Sequence, residues 1–284
     1  MHLLKLPVAG LLITLLLGAC AQAETPRNMS PTQTNEEGCT RKRSLGPQNA
    51  YADPAPIKQA CVGPYLLELP QNYFSNQMGT EHDGSFSLAL EYPSLQPFEP
   101  GERMNLTVDV SIRTVSLSYM YIGRADVWDV MQRRYTPRSG RSDDPAASLE
   151  GRVQGDAVHG LVPYYVDMDN VRAYQRARGL PETAPVMKPD YHYDWYVSRD
   201  DVGRVDQLVR CTPREITESG VEYRGGKMVK KRVIGFAECQ QTFVIEELNT
   251  IVDITYPREG LPQWKQIATR ARALLIDNIT KERK

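Results

Sequence analysis

Cysteines, histidines and acidic pairs are the residues of this 284-residue chain that could do chemistry, and their spacing decides which chemistry. Glu246-Glu247 are adjacent carboxylates, but neighbours on a strand point to opposite faces and cannot share one substrate. Asp167-Met168-Asp169-Asn170 resembles the opening of a calcium loop. Val171, Arg172 and Ala173 supply neither its central glycine nor its distal glutamate, so these residues read as the cap of a helix over 170–178. Asp143-Asp144-Pro145 reads as a loop rather than a metal site. His82-Asp83 before Gly84, and His159-Gly160, read as turns. His192 lies in Tyr191-His192-Tyr193-Asp194-Trp195-Tyr196, the densest aromatic run. It is either a strand whose alternate rings enter the core or a surface for a ligand or partner. The sequence holds no GxSxG elbow, HExxH pair, phosphate-cradling glycine loop or dinucleotide fingerprint. The expectation is no catalytic residue, no metal and no cofactor; an acid-base pair assembled only by folding is the alternative.

One thiol has a different chemistry. Lys5 precedes an apolar run from Leu6 to Leu17, interrupted by Gly10 and Thr14. That run is shorter than the roughly 20 residues of a membrane-spanning helix and has the layout of a signal-peptide core. Leu17-Gly18-Ala19-Cys20 then resembles the lipobox of bacterial lipoproteins, in which the cysteine sulfur takes a diacylglyceryl group before cleavage. Residues 1–19 are therefore expected to be a signal peptide and Cys20 the lipidated N-terminus. An ordinary secretory signal in which Cys20 is incidental is the competing reading. Ala21 in place of Asp implies an outer-membrane destination, with the protein facing the periplasm.

Lipidation leaves Cys39, Cys61, Cys211 and Cys239, an even set in an oxidising compartment, which favours disulfides. Arg224-Gly225-Gly226-Lys227 has the two glycines of a tight hairpin turn, which pairs positions whose numbers sum to 451. Cys211 and Cys239 then fall one register step apart, and a bulge near Pro213 would bring them face to face. Cys39 with Cys61 remains. A cysteine metal site competes with this pairing, but no two cysteines have CxxC spacing and none has a histidine nearby.

The elements that must position these residues are mostly β. Residues 20–60 are polar, with Pro26, Pro31, Pro47, Pro54 and Pro56, and read as a lipidated tether clipped back if Cys39 bonds Cys61. Strands are expected at Tyr65 to Pro70 and Phe86 to Tyr92. The alternation of Leu106, Val108, Val110 and Ile112 slips by one near Thr114 and continues through Val115, Leu117, Tyr119 and Tyr121. Short helices are expected at Ala125 to Arg134 and Asn170 to Arg178, a polar loop at Arg138 to Asp144, and a hairpin at Gly155 to Val166. Asp194 to Val197, Gln207 to Cys211, Lys227 to Ala237, Gln241 to Glu246 and Ile251 to Tyr256 complete the strands. Lys227, Lys230, Lys231 and Arg232 read as a solvated hairpin arm that could also meet an acidic partner. Pro262 opens a final helix, with Trp264, Ile267, Ala268, Ala271, Leu274, Leu275 and Asn278 on one face. The reading is an α+β protein of antiparallel sheets with packed helices, in two domains at 61–200 and 201–284, ending in an amphipathic helix. Removing Lys5 with the signal leaves 33 basic against 35 acidic side chains, a balance that offers no electrostatic footprint for nucleic acid.

Cys61-Val62-Gly63-Pro64-Tyr65-Leu66-Leu67-Glu68-Leu69-Pro70 follows the tether. After Cys239 come the strand strings Phe243-Val244-Ile245 and Ile251-Val252-Asp253-Ile254, and Leu261-Pro262-Gln263-Trp264 opens the last helix. With the lipobox, this layout resembles the immunity lipoproteins that Gram-negative bacteria pair with lipase effectors of the type VI secretion system, in particular the two-domain group protecting against phospholipases. The run from Leu106 to Tyr121 and the cluster from Tyr191 to Tyr196 do not match that group. The resemblance implies a non-enzymatic protein that binds a toxic lipase in the periplasm, held to the membrane by its lipid. It assigns no partner-binding residue. An envelope lipoprotein with a structural or assembly role is the alternative.

Overall fold

Among the described residues, eight strands make one antiparallel sheet against which helices and small ribbons pack. The structure is a computed structural model that describes residues 30–81, 84–137, 144–181 and 192–280. In chain order the sheet strands are β5 (Ser87–Glu91), β6 (Thr114–Tyr121), β7 (Arg152–Gln154), β8 (Val162–Val166), β9 (Asp194–Arg199), β10 (Val205–Cys211), β13 (Glu238–Ile245) and β14 (Thr250–Pro257). Their spatial order is β5-β6-β14-β13-β10-β9-β8-β7. Three two-stranded ribbons flank them: β1 (Thr32–Thr34) with β2 (Thr40–Lys42), β3 (Ile57–Val62) with β4 (Tyr65–Pro70), and β11 (Val221–Arg224) with β12 (Lys227–Lys230). The described residues also form the α-helices α1 (Val108–Ile112), α2 (Val127–Gln132), α3 (Met168–Ala177) and α4 (Trp264–Ile276). The fold is α+β with a C-terminal helix.

Both faces of the sheet are dry at its centre, and strand alternation assigns residues to them. Phe243, Ile245, Val252, Ile254 and Tyr256 share one cluster with Trp264, Ile267, Ala271, Leu274 and Leu275 of α4. The intervening Val244 and Ile251 join Val197, Leu208 and Val205 under Val127 and Met131 of α2. Val205 and Leu208 reach the same face despite their spacing because the β9–β10 register shifts between Val205 and Gln207. The six apolar residues expected on the buried face of the last helix are all buried. Pro262 falls in the 3-10 turn Arg258–Gln263 that leads into α4, not in the helix itself.

Three expectations need correction. Leu106 to Ile112 is not strand. Thr107 caps α1 by accepting from the Val110 amide at 3.2 Å, and Leu106 and Val108 stay exposed while Val110 and Ile112 are buried. The phase slip near Thr114 marks the junction of this helix with β6. The division at residue 200 also fails, since residues 31–284 form one compact unit and β9 pairs with β10 across that boundary. Finally, residues 31–60 are not a free tether. Asn35 Nδ2 donates to the Gly63 carbonyl at 2.7 Å, the Lys42 amide donates to Gln59 Oε1 at 2.7 Å, and Arg41 is buried against Gln33, Thr80 and Glu81. The other end of the chain returns to the same place: the Glu68 and Thr280 amides bond the Asn278 and Leu66 carbonyls at 3.1 and 2.8 Å.

Candidate interaction surface

Cys211 and Cys239 lie directly opposite each other on β10 and β13 and are joined in a disulfide. The hairpin arithmetic holds for β11 and β12, where Arg224 faces Lys227 and Val221 faces Lys230. It does not extend to the cysteines, because this ribbon leaves the sheet and β10 and β13 pair in a register of their own, one step away. Cys39 and Cys61 form the second disulfide. Cys20 and Leu17-Gly18-Ala19 lie outside the described residues, as do His82-Asp83, Arg138 to Asp143 and Tyr191.

The aromatic run is strand. Trp195 and Tyr196 enter opposite faces of β9, and Tyr193 is partly exposed before it. Sequence reasoning overlooked Asp194, which stands opposite Cys211 and is 2 % exposed. Burial pushes its carboxyl up to about 6, helped by the charge of Glu215 and opposed by a 2.9 Å hydrogen bond from the Arg214 amide and by the Arg214 and Arg152 guanidiniums. Arg152 stacks over Trp195 at 4.0 Å and donates to the Tyr193 and Ala146 carbonyls, both at 2.8 Å. Burial lowers it to about 10, against the pull of Asp194. Arg214 stacks over Tyr165 at 3.5 Å. These partners hold strands together and leave the Asp194 carboxylate no open substrate space, so the cluster reads as structural.

The remaining candidates also have structural partners. The carbonyl of His159, in a left-handed turn at φ 52°, accepts from Trp264 Nε1 at 3.0 Å. His192 sits just before β9. Asp167 caps α3 through the Asp169 and Asn170 amides at 2.9 and 3.2 Å. Asp144 caps the 3-10 turn Pro145–Ala147. Glu246 and Glu247 lie on the 3-10 turn Glu246–Leu248 rather than on a strand, because Asn249 turns the chain at φ 48°. They still diverge, Glu246 toward Arg204 and Glu247 onto Arg272. Among the described residues no group of three or more His, Cys, Asp or Glu side chains could hold a metal, and no helix is long and apolar enough to cross a membrane. A surface cavity of about 290 Å³ is lined by Ser75, Asn76, Glu81, Ser85, Phe86 and Ser87, and Asn76 already binds the Glu81 carboxylate at 2.7 Å.

The basic arm is not uniformly solvated. Lys227 approaches Glu91 and Glu102 at 3.8 and 3.7 Å, where Arg113 also pairs with both. The Lys230 amide donates to Asp109 of α1 at 2.8 Å and its ammonium to the Val233 carbonyl at 2.7 Å. Lys231 pairs with Glu218 at 2.9 Å. β12 ends at Lys230, so the strand expected to Ala237 is instead a loop in which Arg232 to Phe236 are all exposed.

With this geometry the chain can be set beside known proteins. No family model matches it, and no curated protein matches its sequence. Among solved structures it is similar to an immunity protein of the Stenotrophomonas maltophilia type IV secretion system. The TM-score is 0.70, with 24 % identity over 89 % of this chain and 100 % of the other. The two chains share a fold. The neighbour's secretion system is type IV, whereas the layout resemblance pointed to type VI.

Proposed function

We propose that this chain is an immunity protein: a lipoprotein that faces the periplasm and neutralises a secreted toxin by binding it. The observation that carries this reading is the fold shared with an immunity protein over 89 % of this chain. A body cross-linked by two disulfides, with both sheet faces buried at the centre, can present a rigid surface to a catalytic cleft without reorganising, which keeps the entropic cost of binding low. In finer detail, the toxin is a lipase attacking phospholipid, delivered by a secretion system of a competing cell, and Cys20 carries the lipid that anchors the chain in the outer membrane. The sequence layout supports the lipase, and the lipobox with Ala21 supports the anchor.

The experiment is a deletion of the gene in cells exposed to the secreted lipase encoded beside it. Deleted cells are expected to lyse when the lipase reaches the periplasm and to survive when the gene is restored. Residues 21–284 should inhibit the purified lipase in vitro. Normal survival of the deletion strain, with no complex at micromolar concentration, would overturn the proposal in favour of a structural envelope role. Cys20→Ser should abolish palmitate labelling and release the protein from membranes; retained labelling would overturn the anchor.

A further inference from the structure

We propose that Arg232-Val233-Ile234-Gly235-Phe236 is the segment that enters the toxin, its apolar tip filling an apolar cleft and Arg232 meeting a carboxylate on the rim. This rests on the immunity reading above and adds a contact surface to it.

Single exposed apolar side chains are ordinary, but here several are gathered and held out. Ile234 is fully exposed at 105 %, with Val233 and Phe236 exposed beside it. Ile216 is exposed on the adjoining loop. The two loops are joined at their base by hydrogen bonds from the Lys231 amide to the Gly220 carbonyl and from the Ala237 amide to the Ser219 carbonyl, at 2.9 and 2.8 Å. Gly220 makes the approach possible: a Cβ there would stand 2.5 Å from the Gly235 carbonyl oxygen, and its φ of 78° favours glycine. Arg258 pins the Ile216 loop by donating to the Thr212, Pro213 and Ile216 carbonyls at 3.2, 3.0 and 2.7 Å. The Cys211–Cys239 bridge closes the stem. An apolar protrusion built this way loses little freedom when it docks, and such residues dominate interface energetics.

Charge selects the occupant. Arg214 lies 3.5 Å from Glu215, Lys231 is paired with Glu218, and Lys230 is turned onto backbone carbonyls. Among the described residues of this loop Arg232 is the one exposed cation without a partner. A membrane-binding loop needs several free basic groups beside its apolar residues, and here the acids cancel them. A second copy would set Arg232 against Arg232. One free cation at the edge of an apolar tip instead complements an apolar protein cleft with an acidic rim, and the substrate cleft of a lipase is apolar.

The test uses residues 21–284, which keep the whole compact unit 31–284, with the lipase encoded beside the gene. Ile234→Asp and Phe236→Ser should weaken the complex by about 30-fold or more and Arg232→Glu by about tenfold, with thermal midpoints unchanged. Val202→Asp, at an apolar site 75 % exposed beyond the opposite end of β10, should bind within about threefold of the parent chain. If the parent chain inhibits the lipase and Ile234→Asp inhibits it equally well, the loop assignment falls while the immunity reading stands. If the parent chain does not bind the lipase, both fall. Sedimentation with phosphatidylethanolamine–phosphatidylglycerol vesicles, or a dimer in solution, that is abolished by Ile234→Asp would overturn the assignment in favour of a membrane or a second copy.

Discussion

Cys39–Cys61 and Cys211–Cys239 close loops of similar size, with sequence separations of 22 and 28, in surroundings of opposite character. The first bridge fastens a segment held by polar contacts, Arg41 on Gln33 and Asn35 on Gly63, to the ribbon β3–β4. The second lies wholly buried between two central strands with Val209, Phe243 and Tyr256 in the same cluster. Equal covalent chemistry thus serves two ends. Where the chain buries little apolar surface the bond itself keeps the segment in place. Where packing already fixes the strands, it limits how far the excursion from residue 212 to 238 can roam in the unfolded chain, and it holds the stem of the exposed loop.

The comparison is sharpest under mutation. Replacing Cys211 and Cys239 together with Ala should cost about 3 to 4 kcal/mol of global stability, measured by urea unfolding, because the loop entropy returns to the unfolded chain. Asp194, opposite Cys211, reports how dry that surrounding is. Unfolded, its proton leaves near the ordinary value of 3.8; folded, it is held to about 6. The group therefore stabilises the fold fully below the lower value, and the contribution is lost as pH rises through the upper one. Asp194→Asn should remove that slope and exceed the parent chain at pH 7 by about 2 to 3 kcal/mol, with little difference at pH 4. Superimposable pH profiles would mean that water reaches the carboxylate. The smallest global effect is expected for Cys39→Ala with Cys61→Ala. The unfolding midpoint should move by about 1 kcal/mol or less while amide protection over residues 31–43 is lost in hydrogen exchange, because this segment can open alone. Equal global losses for both double variants would break the comparison.

Patterns repeated over several turns of helix, and turns marked by paired glycines, were legible from the sequence; a single helical turn and long-range pairings were not. The buried face of α4 and the β11–β12 turn follow from local spacing and two glycines. α1 was hidden because five residues make little more than one turn, too short for a helical period to compete with Leu106, Val108, Val110 and Ile112 spaced by two. Val233, Ile234 and Phe236 have strand propensity, so the sequence extended β12 through them; their exposure depends on where the ribbon leaves the sheet, a tertiary fact. The boundary at residue 200 was misplaced for a similar reason. No local signal announces that β14 pairs with β6, more than a hundred residues earlier.

That pairing governs the order in which the molecule can be completed. β14 joins β6 on one side to β13 on the other, so until residues 250–257 are available the strands from 87–121 and those from 152–245 have no common seam. Loop closure over such a span is slow. The parts β5–β6 and β7–β8–β9–β10–β13 can each pair on their own, but they become one sheet only in a late step, when almost the last strand of the chain is in place.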